Sequence, residues 1–240
     1  MKPRLGQHFL SDSKILGRIA DALDPRPGES VIEIGPGRGA LTRELLNRGL
    51  RVIAIERDRG LAAVLEGARV IVGDALEIDW HSLAAHKIVG NIPYYITSPL
   101  IDKALTPPLP ERVVFLVQAE VADRMAAPPG TKTYGALSVG VQAVCRVEKL
   151  FTIAAGAFQP PPKVRSAAVR LTPLAEPLIE PEEIAPFRKF VTACFSKRRK
   201  QLKNAVPGMT DADFEALGLD PKLRPERLSP TDFVRLMRAR

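Results

Sequence analysis

Short apolar runs recur along the first half of the chain, each closed by a turn-forming or acidic residue. Val31 to Ile34 is closed by Gly35, and Arg69 to Val72 by Gly73 and Asp74. Arg51 to Glu56 ends on its own carboxylate, and Lys87 to Val89 leads into Asn91. Val113 to Val117 is a fifth run. Runs this short, bounded in this way, predict strands. Helical spacing falls between them, at Ala40 to Arg48 with Gly49 as its stop, at Gly60 to Glu66, and at Leu100 to Leu105. Strands alternating with helices predict an α/β fold with a parallel sheet covered on both faces. Ligands of such sheets lie beyond the carboxyl ends of the strands. Gly35, Glu56, Asp74 and Asn91 all stand at those ends.

After Tyr134 the pattern changes. A helix over Tyr134 to Val144 is followed by a strand near Val147 to Ile153, a proline-rich loop over Gln159 to Lys163, and an alternating strand, Ser166 to Leu171. These predict an antiparallel hairpin at the sheet edge. Pro173 to Pro181 holds three prolines and reads as a linker. Helical signal then dominates, over Glu182 to Phe195, Lys197 to Ala205, Asp211 to Leu217 and Thr231 to Arg238, with Pro186 shifting the start of the first. Thr210 and Ser229 are candidate caps, the latter with Pro230 at the first helical position. The expected division is a domain over residues 1–177 and a small helical domain over 178–240.

Composition narrows the setting. A chain of 240 residues, 45% apolar, has room for one core and a small second one. Without eighteen uninterrupted apolar residues, no membrane span is expected. The apolar run within Met1 to Leu10 is too short for a secretory signal. The net charge of +8 and the pI near 9.7 favour polyanionic partners, nucleic acid first. Cys145 and Cys194 make no disulfide framework and suit a cytoplasmic location. His8, His81 and His86 are scattered, so no metal site is expected. Arg188 to Lys203 carries seven cations and no acid, which suits either a phosphate-binding face or a solvated one. Arg112, Arg124 and Lys132 are candidates to extend that surface.

The run Glu33 to Gly39 follows a strand and opens a helix. Glycines there permit a tight turn and close approach of a ligand to the backbone. They fall as Gly-x-Gly-x-Gly, with Ala40 where a dinucleotide fold places its last glycine. With Glu33 in the strand and Pro36 in the loop, S-adenosylmethionine fits better than a pyrophosphate. Glu56, 21 residues after Gly35, can accept both ribose hydroxyl hydrogens, though NAD would be held equally well. Asp74 either accepts a hydrogen bond from the cofactor's adenine amino group or caps a helix.

Asn91-Ile92-Pro93-Tyr94 is the most informative tetrapeptide. Adenine N6 is a weak nucleophile because its lone pair is delocalised into the ring. Acceptors that draw both of its N–H bonds, here the Asn91 side-chain oxygen and the Ile92 carbonyl, leave the lone pair aimed at a methyl donor. Tyr94 can stack on an extruded base, or simply pack within a turn. Phe158 is either a second wall for that base or a core residue. Lys163 and Arg165 can meet phosphate.

Eight stretches in order resemble the bacterial small-subunit (16S) rRNA adenine N6,N6-dimethyltransferases, the KsgA or RsmA group. They are Gly6 to Leu10, Glu33 to Gly39, Glu56, Gly73 to Ala75, Asn91 to Ile96, Gln118 to Arg124, Tyr134 to Ser138 and Phe158 to Val164. The resemblance implies a class I methyltransferase fold, Rossmann-like, with a mostly parallel seven-stranded sheet and a C-terminal helical domain. It implies dimethylation of two adjacent adenosines near the 3′ end of 16S rRNA, within an immature small ribosomal subunit, and a part in subunit biogenesis. It places the cofactor on His8, Leu10, Gly35, Gly37, Glu56, Asp74 and Asn91, and the target base on Asn91, Tyr94 and Phe158. Many relatives carry Asn where His8 stands, and His adds a pH dependence. The expected state is a monomer. The alternatives are a 23S rRNA adenine N6-methyltransferase conferring macrolide-type resistance and a non-catalytic assembly factor. A nicotinamide oxidoreductase has the wrong glycine spacing.

Overall fold

The computed structural model describes residues 7–206 and 208–240. Gly6, part of the first family-like stretch, lies outside them. The strands are β1 (Phe9–Leu10), β2 (Ser30–Ile34), β3 (Arg51–Glu56), β4 (Arg69–Val72), β5 (Lys87–Asn91), β6 (Arg112–Gln118), β7 (Cys145–Ile153), β8 (Phe158–Gln159) and β9 (Ser166–Pro173). Seven of them form one sheet in the order β4-β3-β2-β5-β6-β9-β7. Neighbours from β4 to β6 run parallel, and β9 lies antiparallel to β6. The reversal at the β7 end is the expected edge hairpin. Val113 to Val117 are all essentially buried, which explains why this strand reads as an unbroken apolar run: a strand covered on both faces has no solvent side to alternate with.

The helices are α1 (Ser13–Asp21), α2 (Ala40–Asn47), α3 (Arg59–Ala62), α4 (Thr97–Ala104), α5 (Ala119–Ala126), α6 (Ala136–Gln142), α7 (Ile184–Ser196), α8 (Leu202–Ala205), α9 (Asp211–Ala216) and α10 (Pro230–Arg238). Contacts divide the chain into two units. One takes in the chain up to Ala122 together with Glu148–Pro173, and the other Asp123–Val147 with Leu174–Arg240. The second unit thus includes Asp123–Val147, which the sequence pattern had grouped with the sheet.

Within the first unit, Leu16, Ile19 and Leu23 of the α1 region join Val31, Leu45, Val52 and Val114 in one apolar cluster. Asp12 caps α1, its Oδ1 accepting from the Lys14 and Ile15 amides. Within the second unit, Tyr134, Phe195 and Phe233 form a chain of rings with centroids 6.0 and 5.6 Å apart. The buried Tyr134 hydroxyl donates to the Leu228 carbonyl at 2.7 Å. Thr210 and Ser229 cap α9 and α10 as expected, each with a reciprocal bond from the third residue of its helix.

Three helices are clearly shorter than the sequence predicts, one of them α6, which covers only Ala136–Gln142 of the expected Tyr134 to Val144. Gly60 to Glu66 yields only α3, and Gly67 turns away with φ +76°. Lys197 to Ala205 yields only α8, because residues 197–200 form turns. Lys197 ends α7 with φ −107° and ψ 30°.

Candidate active site

The first βα turn is built on glycines that no other residue replaces comfortably. Gly35, Gly37 and Gly39 have φ of +66°, +58° and +73°. A Cβ on Gly35 would meet nothing closer than the Asn91 carbonyl oxygen at 3.9 Å, so the missing side chain leaves room in front of the strand ends. At Gly90 in β5 the reason differs: a Cβ would fall 2.7 Å from the Ile34 oxygen of the neighbouring strand.

Glu56 closes β3 with its side chain 3% exposed. Its two carboxylate oxygens accept from the Gly37 amide at 3.0 Å and the Asp58 amide at 2.9 Å. Each oxygen retains a further lone pair, so the carboxylate is held in place and still able to take two hydroxyl donors. Asp58 is committed elsewhere, capping α3 through the Gly60 and Leu61 amides. Asp74 uses Oδ1 on the Leu76 amide at 2.9 Å, a cap-like turn, while its Oδ2 pairs with Arg57 at 3.4 Å. No helix begins at Asp74 among the described residues, so the expected helix cap is only a closed turn, and the carboxylate still lines the site. Glu33 is 1% exposed and receives the Thr42 hydroxyl at 2.7 Å. Burial, helped by the nearby Glu56 charge and opposed by Thr42, pushes its pKa up to about 7.

The two-stranded ladder of β1 and β8 brings the N-terminal segment to the same place, pairing Phe9 with Gln159 and Leu10 with Phe158. His8 Nδ1 lies 2.7 Å from the Pro160 oxygen. A carbonyl only accepts, so Nδ1 carries the hydrogen of this bond. The His8 carbonyl in turn accepts from Asn91 Nδ2 at 2.8 Å. That contact fixes which end of the amide faces His8, and Oδ1 is the end without a donor among the described residues. The Ile92 amide is taken by the Leu116 carbonyl at 3.0 Å. The Tyr94 hydroxyl shares a 2.7 Å bond with the Ser166 hydroxyl, and its ring lies near-parallel to that of His8 at 6.0 Å.

These groups surround a hollow of about 1200 Å³ that opens to solvent. His8, Leu10, Gly35, Gly37, Glu56, Asp74, Asn91 and Tyr94 all line it. Phe158 does not: it is 4% exposed and packs in the apolar cluster beside Leu10. Ser166, Thr42 and Gly90 were not singled out from the sequence. Serine, threonine and glycine are too common to stand out without the strand pairing that brings them here. Among the described residues, no group of three or more His, Cys, Asp or Glu is placed to hold a metal ion.

The residues fit an adenosyl donor: a glycine-lined cradle with room in front of it, and a buried carboxylate with lone pairs to spare. A family model described as ribosomal RNA adenine dimethylase matches residues 1–239. The chain belongs to that family. Its fold is the class I S-adenosylmethionine-dependent methyltransferase fold, and it is an rRNA adenine dimethyltransferase. A Ribosomal RNA small subunit methyltransferase A of Hahella chejuensis is 42% identical, covering 98% of this chain and 91% of that protein. The protein of the same name from Pseudomonas aeruginosa is 44% identical, covering 98% and 92%. Among solved structures, a dimethyladenosine transferase from Plasmodium falciparum superposes with a TM-score of 0.82 at 28% identity, covering 95% of this chain and 96% of that one. The 23S rRNA methyltransferase ErmE superposes with a TM-score of 0.74 at 30% identity, covering 96% and 98%. No helix among the described residues is long and apolar enough to cross a membrane.

Proposed function

We propose that this dimethylase acts on two adjacent adenosines near the 3′ end of 16S rRNA, in an immature small ribosomal subunit, making each N6,N6-dimethyladenosine. The observation that carries the catalytic reading is the Asn91 amide, whose Nδ2 is engaged by the His8 carbonyl at 2.8 Å. Its Oδ1 is thereby available to accept an N–H from adenine N6, with the Ile92 carbonyl accepting the second. Polarising both N–H bonds matters most as positive charge develops on the nitrogen. Tyr94 offers its ring to the face of the extruded base, steadied by Ser166. Phe158, buried beside Leu10, acts from behind by supporting β1 and hence His8.

When bound, S-adenosylmethionine supplies the methyl group. Glu56 accepts the ribose hydroxyls, Asp74 faces the adenine, and Gly35 and Gly37 give the backbone close approach. His8, Leu10 and Asn91 flank the methionine end. The helical region 178–240 serves in rRNA recognition, with phosphates meeting the exposed cations and target choice resting on RNA shape. The enzyme works as a cytoplasmic monomer without a metal.

The likeness to ErmE supports a second reading, methylation of 23S rRNA. The curated small-subunit relatives, at 42–44% identity, favour the first. Undermethylated small subunits incubated with enzyme and S-adenosylmethionine, followed by mass spectrometry of the rRNA, decide between them. Dimethyladenosine at two adjacent 16S positions is expected. Product on 23S rRNA alone would overturn the assignment.

A further inference from the structure

Lys103 stands in the last turn of α4, the helix that follows directly on the Asn91–Tyr94 turn. Its Nζ donates to the Leu76 carbonyl at 2.6 Å. The same ammonium lies 5.2 Å from the centre of the Trp80 ring, within cation–π range. Both partners belong to the loop that follows β4 and begins at Asp74. That loop is already tightly wound, since the Asp74 side chain takes the Leu76 amide and its carbonyl takes the Glu77 and Ile78 amides. Trp80 is 4% exposed, and its buried indole N–H has no acceptor among the described residues. Packing and the lysine cation therefore hold the ring, rather than a hydrogen bond. Partial burial pulls the Lys103 pKa below the ordinary lysine value, while Asp79 and Asp74 both favour its charged form.

We propose that Lys103 is a positioning residue for the methyl donor, clamping the Asp74–Trp80 loop to α4 so that the Asp74 carboxylate is presented to the donor's adenine. The inference rests on the cofactor role proposed for Asp74. It assigns the clamp two contacts from one cation: a charge-assisted bond to a backbone carbonyl and an approach to an aromatic face. A methionine in its place fills similar volume and makes neither.

The test uses the full chain with Lys103→Met and Lys103→Arg. S-adenosylmethionine binding is measured by titration calorimetry, methyl transfer at limiting and saturating donor, and the emission of Trp80, the one tryptophan in the chain. Lys103→Met is expected to raise Kd and KM for the donor about tenfold, a fraction of the worth of one charged hydrogen bond and one cation–π contact, because both are internal to the protein and act on the donor only through the loop. The kcat at saturating donor should stay close to that of the parent. Trp80 emission should shift in Lys103→Met, and Lys103→Arg should restore both emission and affinity. Lys103→Gln, too short to reach Leu76, carries the same expectation, so a misfolded methionine variant leaves the question answerable. Unchanged donor affinity in folded Lys103→Met or Lys103→Gln, with normal binding by the parent, would overturn the clamp alone. A fall in kcat with KM unchanged would also overturn it. Failure of the parent to bind the donor would remove the cofactor assignment, and the clamp with it.

Discussion

Asn91 and His8, 83 positions apart in sequence, are joined by one hydrogen bond from the asparagine side chain to the histidine backbone. The His8 ring is anchored in turn on the Pro160 carbonyl, so the amide's orientation is inherited from the β1–β8 ladder. The N-terminal segment thus sets the orientation of the amide proposed to hold the target base.

Asn91→Ala removes both the acceptor and its anchor. Methyl transfer is expected to fall about 100-fold or more, the usual effect of removing one preorganised polar group from a transition state. Asn91→Asp should fare little better, because a carboxylate cannot donate to the His8 carbonyl. Single-turnover transfer of labelled methyl to undermethylated subunits measures both. Near-parental rates in either variant would remove Asn91 from the site.

Tyr94 has two separable parts. Tyr94→Phe keeps the ring and loses the bond to Ser166, costing about 1 kcal/mol of positioning. Tyr94→Ala also loses the stacking face, worth roughly 1–3 kcal/mol per base. Ser166→Ala should reproduce the phenylalanine variant. Rates with an excess of subunits, compared across the three, give the order. Equal losses in Tyr94→Phe and Tyr94→Ala would leave no part for the ring.

Glu33 links stability to pH. Its pKa is raised to about 7, above the ordinary 4.5, so the folded state keeps a proton that the unfolded chain has released between those values. Its contribution to stability is therefore fully present below about pH 4.5, declines as pH rises toward 7, and levels off above. Glu33→Gln should remove that decline. At pH 8 the variant should gain up to about 3 kcal/mol relative to the parent, since each tenfold difference in proton affinity between the folded and unfolded chain is worth about 1.4 kcal/mol. Urea unfolding of both proteins at pH 5 and pH 8 tests this. A parent that gains on the variant as pH rises would show that Glu33 is ionised in the folded protein.

The basic run divides by structure. Lys189, Lys197, Arg199, Lys200 and Lys203 are exposed to solvent in whole or in part, whereas Arg198 is bound to Glu226 at 2.6 Å and to the Lys132 carbonyl. Neutralising Lys197, Arg199 and Lys200 together should weaken subunit binding and flatten its salt dependence by about two to three units of log–log slope. Arg198→Ala should instead lower thermal stability while changing the slope less. Filter binding across a salt series and thermal melts separate the two. A triple variant with the parental slope would take these residues off the RNA.

The strand-end residues were legible because a doubly covered parallel sheet writes each strand as an apolar run and places its ligand residues directly after it. Gly35, Glu56, Asp74 and Asn91 could be read that way, and all four face the hollow. Partners contributed from afar were not. Nothing local marks Ser166 as the anchor of Tyr94, 72 residues away. Phe158 shows the converse: of the two readings open to it, wall of the base site or core residue, pairing with Leu10 selects the core. The helix α1 is absent from the sequence reading, although Asp12 followed by Leu16, Ile19 and Ala20 on one buried face was a signal that could have found it. The shortfall over Lys197 to Lys200 had no apolar signature to announce it, since none of the four positions is hydrophobic.

The interleaving of the two units has a consequence for any shortened version of the gene. A stop codon after residue 177 would keep Asp123–Val147 but delete most of what it is grouped with. Tyr134 would then lose the Leu228 acceptor for its interior hydroxyl and the Phe195 ring beside it. During synthesis the same segment leaves the ribosome with its neighbours still untranslated, so this unit cannot complete its fold until the codons for Leu174–Arg240 have been read.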